Sequence, residues 1–594
     1  MLVDPKEKDG ARADVVPKQM GSCQILGLER SERKHLITVK LTTGVIATKT
    51  YFEWKEFCDC NKDRPEYHNL LADIDEVVAL ENKNLPRLMV VLAEGAADEF
   101  FHDQHGVAYV ALENDGHREV WPISSTWCED WLRGLVEKAT SKLASSDLLR
   151  TAIDHLESRG RRGSKRDLQV RTAWGERNKE IYVDMANEKW QAIKISAEGW
   201  ETVDRPPILF RRPQGMAPLQ QPTRGGNLNA FFALLNQEGI PEGHVLLHKV
   251  MFAFNYIPET AKPIHITAGD QGSGKSGWDT AEKALLDPGD WSEHKPPTDE
   301  DQLTRDFWQN LVVCYGNISK LSEEQQDWFC IGATGGGSIK RKLYTNDNEI
   351  RRKFRCAIRL NGINIAGSNP DFLERVVLTV LKSIPESKLM SDAEWEDALK
   401  EAIPGALGFI LDSISGALAI YSEVEVKEKF RLAALCKWGE AISQSMGEIP
   451  GRFMEIYGKN RTMVSRTAIT LSPVGQAILD FIDCYNDEYW VGTASQLLKA
   501  LNDYCEEETK KRDSEWPSNA NKLSEKLNVI KLDLERANIK VDNAKNFTVR
   551  KALRKYPSCK AALEGKSPKT KIVVITKVKQ KGLYQYEEDD DYAD

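Results

Sequence analysis

Ile264-His-Ile-Thr-Ala-Gly-Asp-Gln-Gly-Ser-Gly-Lys-Ser276 passes from alternating apolar residues into a glycine-rich turn that ends in Lys-Ser. Gly269 to Ser276 has the spacing G-x4-G-K-S, and apolar residues at helical spacing follow from Gly277 to Leu286. A strand that enters a helix through such a turn leaves backbone N–H groups pointing inward, where they cradle phosphate. Gly269, Gly272 and Gly274 let the backbone make that turn. Lys275 brings positive charge to the β and γ phosphates, and Ser276 offers its hydroxyl to Mg²⁺. The stretch predicts an α/β phosphate-loop core whose cofactors are ATP and Mg²⁺.

Such a loop needs a second strand ending in an acid that serves the metal or the attacking water. Leu311-Val-Val-Cys-Tyr315 is that strand by position and pattern, yet it ends Gly316-Asn317-Ile-Ser319 without a carboxylate. Either Asp306, Glu323 or Glu324 folds in as a substitute, or the chain binds ATP better than it cleaves it. A wrong choice of strand is the bland alternative.

Further along, Ala333-Thr-Gly-Gly-Gly-Ser-Ile-Lys340-Arg341-Lys342 opens a region, 338–359, with eight Lys or Arg against two acids. A glycine-rich basic turn suits a loop that holds a phosphate backbone without reading sequence, and it equally suits a solvated surface loop. Asn361 ends the apolar run Cys356 to Leu360. There its amide either holds the water that attacks the γ-phosphate or starts a turn before Gly362. Arg375 lies on an expected helix, from which it either reaches a neighbouring subunit's phosphate or pairs with Asp371 one turn back.

These residues resemble the superfamily 3 helicases of the AAA+ group, in the variant of mobile genetic elements that carries a C-terminal winged helix and is related to the poxvirus-type and phage-type helicase-primases. The resemblance spans about 205–580, and its anchors are the phosphate loop, Thr334-Gly-Gly-Gly337, Leu343-Tyr-Thr345, Leu360-Asn361-Gly362 and Leu373-Glu-Arg375. It implies ATP-driven movement of a ring, most often a hexamer, along single-stranded DNA. Asn361 would be the first sensor and Arg375 the finger that acts on the adjacent subunit. The family's pattern has an Asp where this chain has Gly316, which puts hydrolysis, but not ATP binding or assembly, in question.

The C-terminal region adds its own signal. Trp516 to Tyr586 holds 17 Lys or Arg against 5 acids, in a chain whose 81 basic and 90 acidic residues give −9 overall. Such a local basic excess is an electrostatic footprint for nucleic acid. Leu523, Leu527, Ile530 and Leu534 at helical spacing, then Ile539–Val541 and Ile572–Val578, resemble the recognition helix and wing of a winged helix. Lys522 and Lys526 on that helix are candidate DNA contacts beside Lys340, Arg341 and Lys342. A dock for a partner protein is the alternative.

Working outward, 594 residues are several domains' worth, and 41% apolar with 29% charged excludes wholesale disorder. We read 1–125 as an accessory α/β domain, 126–166 as a helix and basic linker, and 167–226 as a β-rich collar. The AAA+ core follows at 227–400, a helical segment at 401–475, a winged-helix domain at 476–586 and an acidic tail at 587–594. Strands are expected at His35–Leu41, Arg87–Leu92 and Val107–Leu112, and the basic run Arg159 to Arg166 is taken as the linker.

Gly405 to Tyr421 is the best membrane-span candidate, but Asp412 and Ser413 break it, so a buried helix is expected. Met1 to Arg12 is charged with no apolar run after it, so no secretory signal is expected, and the 11 cysteines fit reduced thiols in the cytoplasm. Cys58, Cys60 and His68 lack the spacing of a zinc site and read as packing.

The expected function is an ATP-dependent DNA helicase or translocase in the replication of a plasmid, phage or other mobile element. Its partners would be single-stranded or forked DNA, copies of itself and other replication proteins, with no membrane. The rivals are an ATP-gated loading factor without turnover and a helicase-primase using Asp73 and Asp75.

Overall fold

The structure is a computed structural model. It describes residues 85–577 except 115, 141–142, 342–348, 364–366, 368, 428–429, 485–488, 505–515 and 544–546, together with 19–20, 23–31, 34–40, 46–50, 54, 57, 58, 60, 61, 70 and 74. The chain divides into two compact units, Met1–Gln169 with Pro207–Arg212, and Val170–Pro206 with Pro213–Asp594.

The first unit begins with an antiparallel meander, β1 (Gln19–Met20), β2 (Cys23–Ser31), β3 (Lys34–Lys40) and β4 (Ile46–Thr50). Helix α1 (Leu85–Ala96) then precedes β5 (Glu99–His102), β6 (Ala108–Asn114) and β7 (His117–Pro122). The strand expected at Arg87–Leu92 is thus the middle of α1. Leu85, Leu88, Met89 and Leu92 recur at i, i+3, i+4 and i+7, and that helical stripe prevails over the high valine and leucine content.

Helices α2 (Thr126–Thr140) and α3 (Ser146–Arg162) follow, and Leu132, Val136, Leu149, Ile153 and Leu156 close one core with Met89, Val110 and Ile123. The basic run is no linker. Arg159, Arg161 and Arg162 form the last turn of α3, where positive side chains suit the helix C-terminus. Gly160 is buried, with a β-carbon position only 2.8 Å from that of Ala108. Ser164–Lys165 (β8) then extends the sheet in parallel beside β5. Cys58 is buried and Cys60 exposed, while His68, Asp73 and Asp75 lie outside the described residues. Among the described residues no His, Cys, Asp and Glu group has the makings of a metal site.

The second unit opens with an antiparallel sheet, β9 (Thr172–Trp174), β10 (Ile181–Asp184), β11 (Ala192–Ser196) and β12 (Gly199–Val203). Ile181, Val183, Ile193 and Ile195 alternate onto one face and join the main core with Phe231 and Phe252. Arg171, 0% exposed, reaches out of this layer. Its Nε donates to Asp287 Oδ1 at 3.0 Å, and its two terminal nitrogens donate to the carbonyls of Asp184, Ala217 and Pro288.

At the centre stand four parallel strands, β13 (Ile264–Gly269), β14 (Val312–Ile318), β17 (Ala357–Gly362) and β18 (Val376–Leu381), in the order β14-β17-β13-β18. Every residue of β17 is buried, as befits a parallel strand covered on both faces. Placing β17 between the loop strand and β14 gives the AAA+ type of phosphate-loop core expected from the sequence. Helix α6 (Lys275–Leu286) leaves the loop, after α4 (Asn229–Ala233) and α5 (His244–Asn255), and α7 (Glu300–Gln309) and α8 (Glu323–Thr334) flank β14 in sequence. The glycine-rich basic stretch folds as an antiparallel hairpin, β15 (Gly336–Arg341) with β16 (Glu349–Phe354).

Side chains and single residues cap part of both edges of this sheet. On β18, Asn460 donates to the Leu378 carbonyl at 2.7 Å and accepts from its N–H at 3.1 Å, and Arg461 donates to the Val376 carbonyl at 3.0 Å. On β14, Asp287 Oδ2 accepts from Leu311 N and Val312 N, and Lys283 Nζ donates to Val312 O. His294 continues that edge, donating from N to Cys314 O at 3.2 Å and accepting from Gly316 N at 2.9 Å.

Helix α10 (Asp392–Ile420) begins on a Ser391–Glu394 capping box and is the one described helix long and apolar enough to cross a membrane. Leu407, Ile410, Leu411 and Ile414 on it are buried in the core, as expected for that segment. A β-carbon on Gly408 would stand 1.8 Å from the Thr223 carbonyl oxygen, so glycine there permits a backbone crossing. Helices α11 (Ala433–Ser445) and α12 (Arg452–Leu471) lead to the last domain. It runs α13 (Pro473–Cys484), β19 (Tyr489–Gly492), α14 (Ala494–Tyr504), α15 (Ala520–Arg536), β20 (Ile539–Asp542), α16 (Val549–Lys555) and β21 (Val573–Lys577). Its sheet order is β19-β21-β20. Helix α16 lies between β20 and β21, the strands expected to form the wing.

Candidate nucleotide-binding site

In a parallel sheet, ligands bind beyond the carboxyl ends of the strands where the strand order reverses. Gly269, Gly316 and Asn361 all stand at that end. Gly269, Gly272 and Gly274 have φ of +154°, +77° and +78°, in the region that favours glycine. A β-carbon on Gly269 would also meet Leu381 O at 2.4 Å. Asn236 supports the loop from outside, donating to Ser273 O at 2.8 Å and to Lys382 O at 2.7 Å. No spacing rule points to Asn236, because it lies more than thirty residues before the loop it braces.

Lys275 Nζ donates to Gly269 O at 2.8 Å and Asp270 O at 2.7 Å. Burial lowers its pKa, and Asp270 opposes that shift. The lysine head therefore caps its own loop's carbonyls at the mouth of α6. Ser276 opens toward a carboxylate that the sequence did not single out, with its Oγ 3.4 Å from Glu293 Oε1. The other oxygen of Glu293 accepts from Asn361 Nδ2 at 2.6 Å. Asn361 is 2% exposed, donates also to Asp279 Oδ2 at 2.7 Å and accepts from Asn317 N at 3.0 Å. The amide is more than a turn former, since it ties α6, β14 and the Glu293 segment together.

The acids expected to substitute at Gly316 are elsewhere. Asp306 Oδ2 accepts from the Tyr315 hydroxyl at 3.0 Å and lies 3.1 Å from His294 Nε2. Glu323 and Glu324 are exposed on the first turn of α8. A β-carbon on Gly316 would stand 2.1 Å from Glu293 Oε1. Glu293 was invisible to motif reading because it precedes Gly316 by more than twenty residues and reaches it only through the His294 pairing.

Arg375 does not sit on the helix expected for it. That helix, α9, covers Pro370–Leu373, and Arg375 follows it at the start of β18, the end of the sheet opposite the loop. It is 6% exposed, and its Nη1 lies 2.8 Å from Asp371 Oδ2, the pairing held as the alternative. Lys340 and Arg341 end β15, and Lys342 lies outside the described residues. Lys522 is exposed and Lys526 half-buried, both on α15.

Beneath the loop, Arg359 of β17 is buried against α6. Its Nε donates to Asp279 Oδ1 at 2.7 Å, its Nη1 to Glu282 Oε2, and its Nη2 to Thr267 Oγ1 at 3.1 Å. One guanidinium faces two carboxylates. Burial pushes the Glu282 carboxyl up to about 7, with Arg359 pulling it down and Asp279 pushing it further up. Burial likewise lowers His265 and His248, which stay neutral in this cluster. A carboxyl whose folded value exceeds its unfolded one stabilises below the unfolded value and loses that contribution as pH rises through the folded value. Thermal stability should therefore fall as pH rises from about 5 to about 7, and Glu282→Gln should flatten that part of the profile. A Tm–pH slope unchanged by the substitution would show that Glu282 does not carry the proton.

Residues 247–446 match the model of the actinomycete integrative conjugative element replication protein, and residues 474–567 match the model of the C-terminal domain of the same proteins. Two segments of the chain are thus similar to two domains of these replication proteins. The larger replication-protein match contains the phosphate loop, Glu293, Asn361 and Arg375, and the smaller one contains α14, α15, Lys522 and Lys526. No curated protein matches the chain. Solved structures that it resembles include "SCCmec type IV Cch - active helicase" at 13% identity, covering 69% of this chain and 86% of that one with a TM-score of 0.36. The apo NrS-1 C-terminal region is 13% identical, covering 65% of this chain and 76% of that one with a TM-score of 0.33.

Proposed function

We propose that the protein is an ATP-dependent DNA helicase or translocase acting in the replication of a mobile element. The observation that carries this reading is the junction of β13, the Gly269–Ser276 loop and α6, which leaves Lys275 and Ser276 at one mouth beside Asn361. The residues fit the group they would hold. Three glycines at positive φ clear the loop for phosphate, Lys275 supplies the charge, and Ser276 with Glu293 presents the hard oxygen atoms that Mg²⁺ prefers. Bound Mg²⁺ would neutralise charge on the transferring phosphoryl group. Asn361 would act in the same subunit and Arg375, at the far end of the sheet, on the next one, once released from Asp371. Lys340 and Arg341 on β15, Lys342 next to them in sequence, and Lys522 and Lys526 on α15 would meet DNA phosphates as copies of the chain close into a ring, most simply a hexamer.

A second reading, an assembly or loading factor that binds ATP without cleaving it, is favoured by the bare Gly316. Steady-state ATP hydrolysis with and without single-stranded DNA, run beside Lys275→Ala, separates the two. DNA-stimulated turnover that vanishes in the variant is expected. Tight ATP binding with no turnover would favour the loading factor, and no ATP binding would overturn both.

A further inference from the structure

We infer that Glu293 takes the role of the carboxylate that β14 lacks, serving Mg²⁺ together with Ser276 from a segment outside the β14 strand. The inference rests on the nucleotide-binding reading above and names an acid which that reading leaves open.

Four observations converge on this residue. The first is space: a β-carbon on Gly316 would meet Glu293 Oε1 at 2.1 Å and its Cδ at 2.2 Å, so the carboxylate fills the volume that a side chain from position 316 would occupy. The second is register. His294 pairs in parallel with Tyr315, through Cys314 O and Gly316 N, which fixes residue 293 against the carboxyl end of β14. The third is chemistry, since Oε1 lies 3.4 Å from the Ser276 hydroxyl, the loop's own metal-facing oxygen. The fourth is orientation: Asn361 Nδ2 donates to Oε2 at 2.6 Å, and Asn361 is itself held by Asp279 and Asn317. A carboxylate oriented by a buried amide and left half-exposed on its other side is preorganised for a metal or its bound water.

The arrangement also explains the glycine. With Glu293 in place, any side chain at 316 collides with it, so the acid and the glycine form a matched pair. An Asp at 316 with a small residue at 293 would be the reverse solution.

The test is Mg²⁺-dependent binding of a fluorescent ATP analogue by the full chain, titrated in MgCl₂ and in EDTA, with hydrolysis as a second readout. Glu293→Gln keeps the shape and is expected to lose at least about tenfold of the affinity that Mg²⁺ confers, as for removal of a partner that orients or holds a metal, with binding in EDTA unchanged. Gly316→Asp alone is expected to bring no gain, because its side chain meets Glu293. The double variant Glu293→Ala with Gly316→Asp is expected to regain Mg²⁺ dependence. Unaltered Mg²⁺ dependence in Glu293→Gln overturns the inference and leaves the nucleotide-binding reading standing. Failure of the unaltered chain to bind the analogue in either condition overturns both. Circular dichroism melts of all three variants identify any that fails to fold, and Glu293→Gln alone decides the inference if the Gly316 variants do not.

Discussion

Asp287→Ala is expected to destabilise the second unit by about 3–5 kcal/mol, the usual cost of stripping a buried charge of its partner. Asp287 is fully buried and faces two cations, Arg171 Nε at 3.0 Å and Lys283 Nζ at 2.8 Å. Burial alone would raise its pKa, but Lys283 and then Arg171 pull it below the ordinary carboxylate range. A depressed carboxyl contributes fully above its unfolded value and loses that contribution as pH falls through the folded one. In alanine's place both cations would remain buried with no counter-charge, and the Leu311 and Val312 N–H groups would lose their acceptor. Asp287→Asn should recover part of the loss, because its carbonyl oxygen still accepts those hydrogen bonds. Chemical denaturation followed by tryptophan fluorescence measures the effect, and a loss below about 1 kcal/mol, the scale of an exposed ion pair, would show that water reaches the cluster.

Lys275→Ala is the second large expectation, in binding rather than stability. The ammonium makes charge-assisted bonds to two loop carbonyls, which water can replace at this half-exposed site. Folding should therefore change little. Toward a triphosphate nothing else in the loop supplies a full positive charge, so affinity should fall at least about a hundredfold, roughly 3 kcal/mol. Calorimetric titration with ATP checks this, and a change under about threefold, less than 1 kcal/mol, would mean that the loop holds something other than phosphate.

What the sequence made legible was what it encodes contiguously. Gly269 to Ser276 is a run of neighbours, and the apolar strands before and after it follow from local pattern. The helix of Lys522 was readable for the same reason, whereas the stretch at Lys340, read as a glycine-rich loop, folds as a hairpin. Glu293 was not, because its role depends on a single-residue pairing between His294 and β14 that no periodicity signals. Asn361 was legible as a position, but its three partners come from α6, β14 and the Glu293 segment. The α1 misreading has a simpler cause: Val90 and Val91 favour strands, and burial of Met89, Val90 and Ala93 in one core with Leu149, Ile153 and Leu156 of α3 decides for a helix.

The borrowed caps on the central sheet bear on how the protein tolerates crowding by its own copies. A bare outer strand is a template on which a second chain can add its own, and growth by that route has no natural end. Here Asn460 and Arg461 occupy outward groups of Leu378 and Val376 on β18, while Asp287, Lys283 and His294 occupy those of Leu311, Val312, Cys314 and Gly316 at β14. Strand addition by a second copy is thereby hindered at these groups, and contact between copies at this sheet is left to side-chain surfaces, which can be finite and reversible.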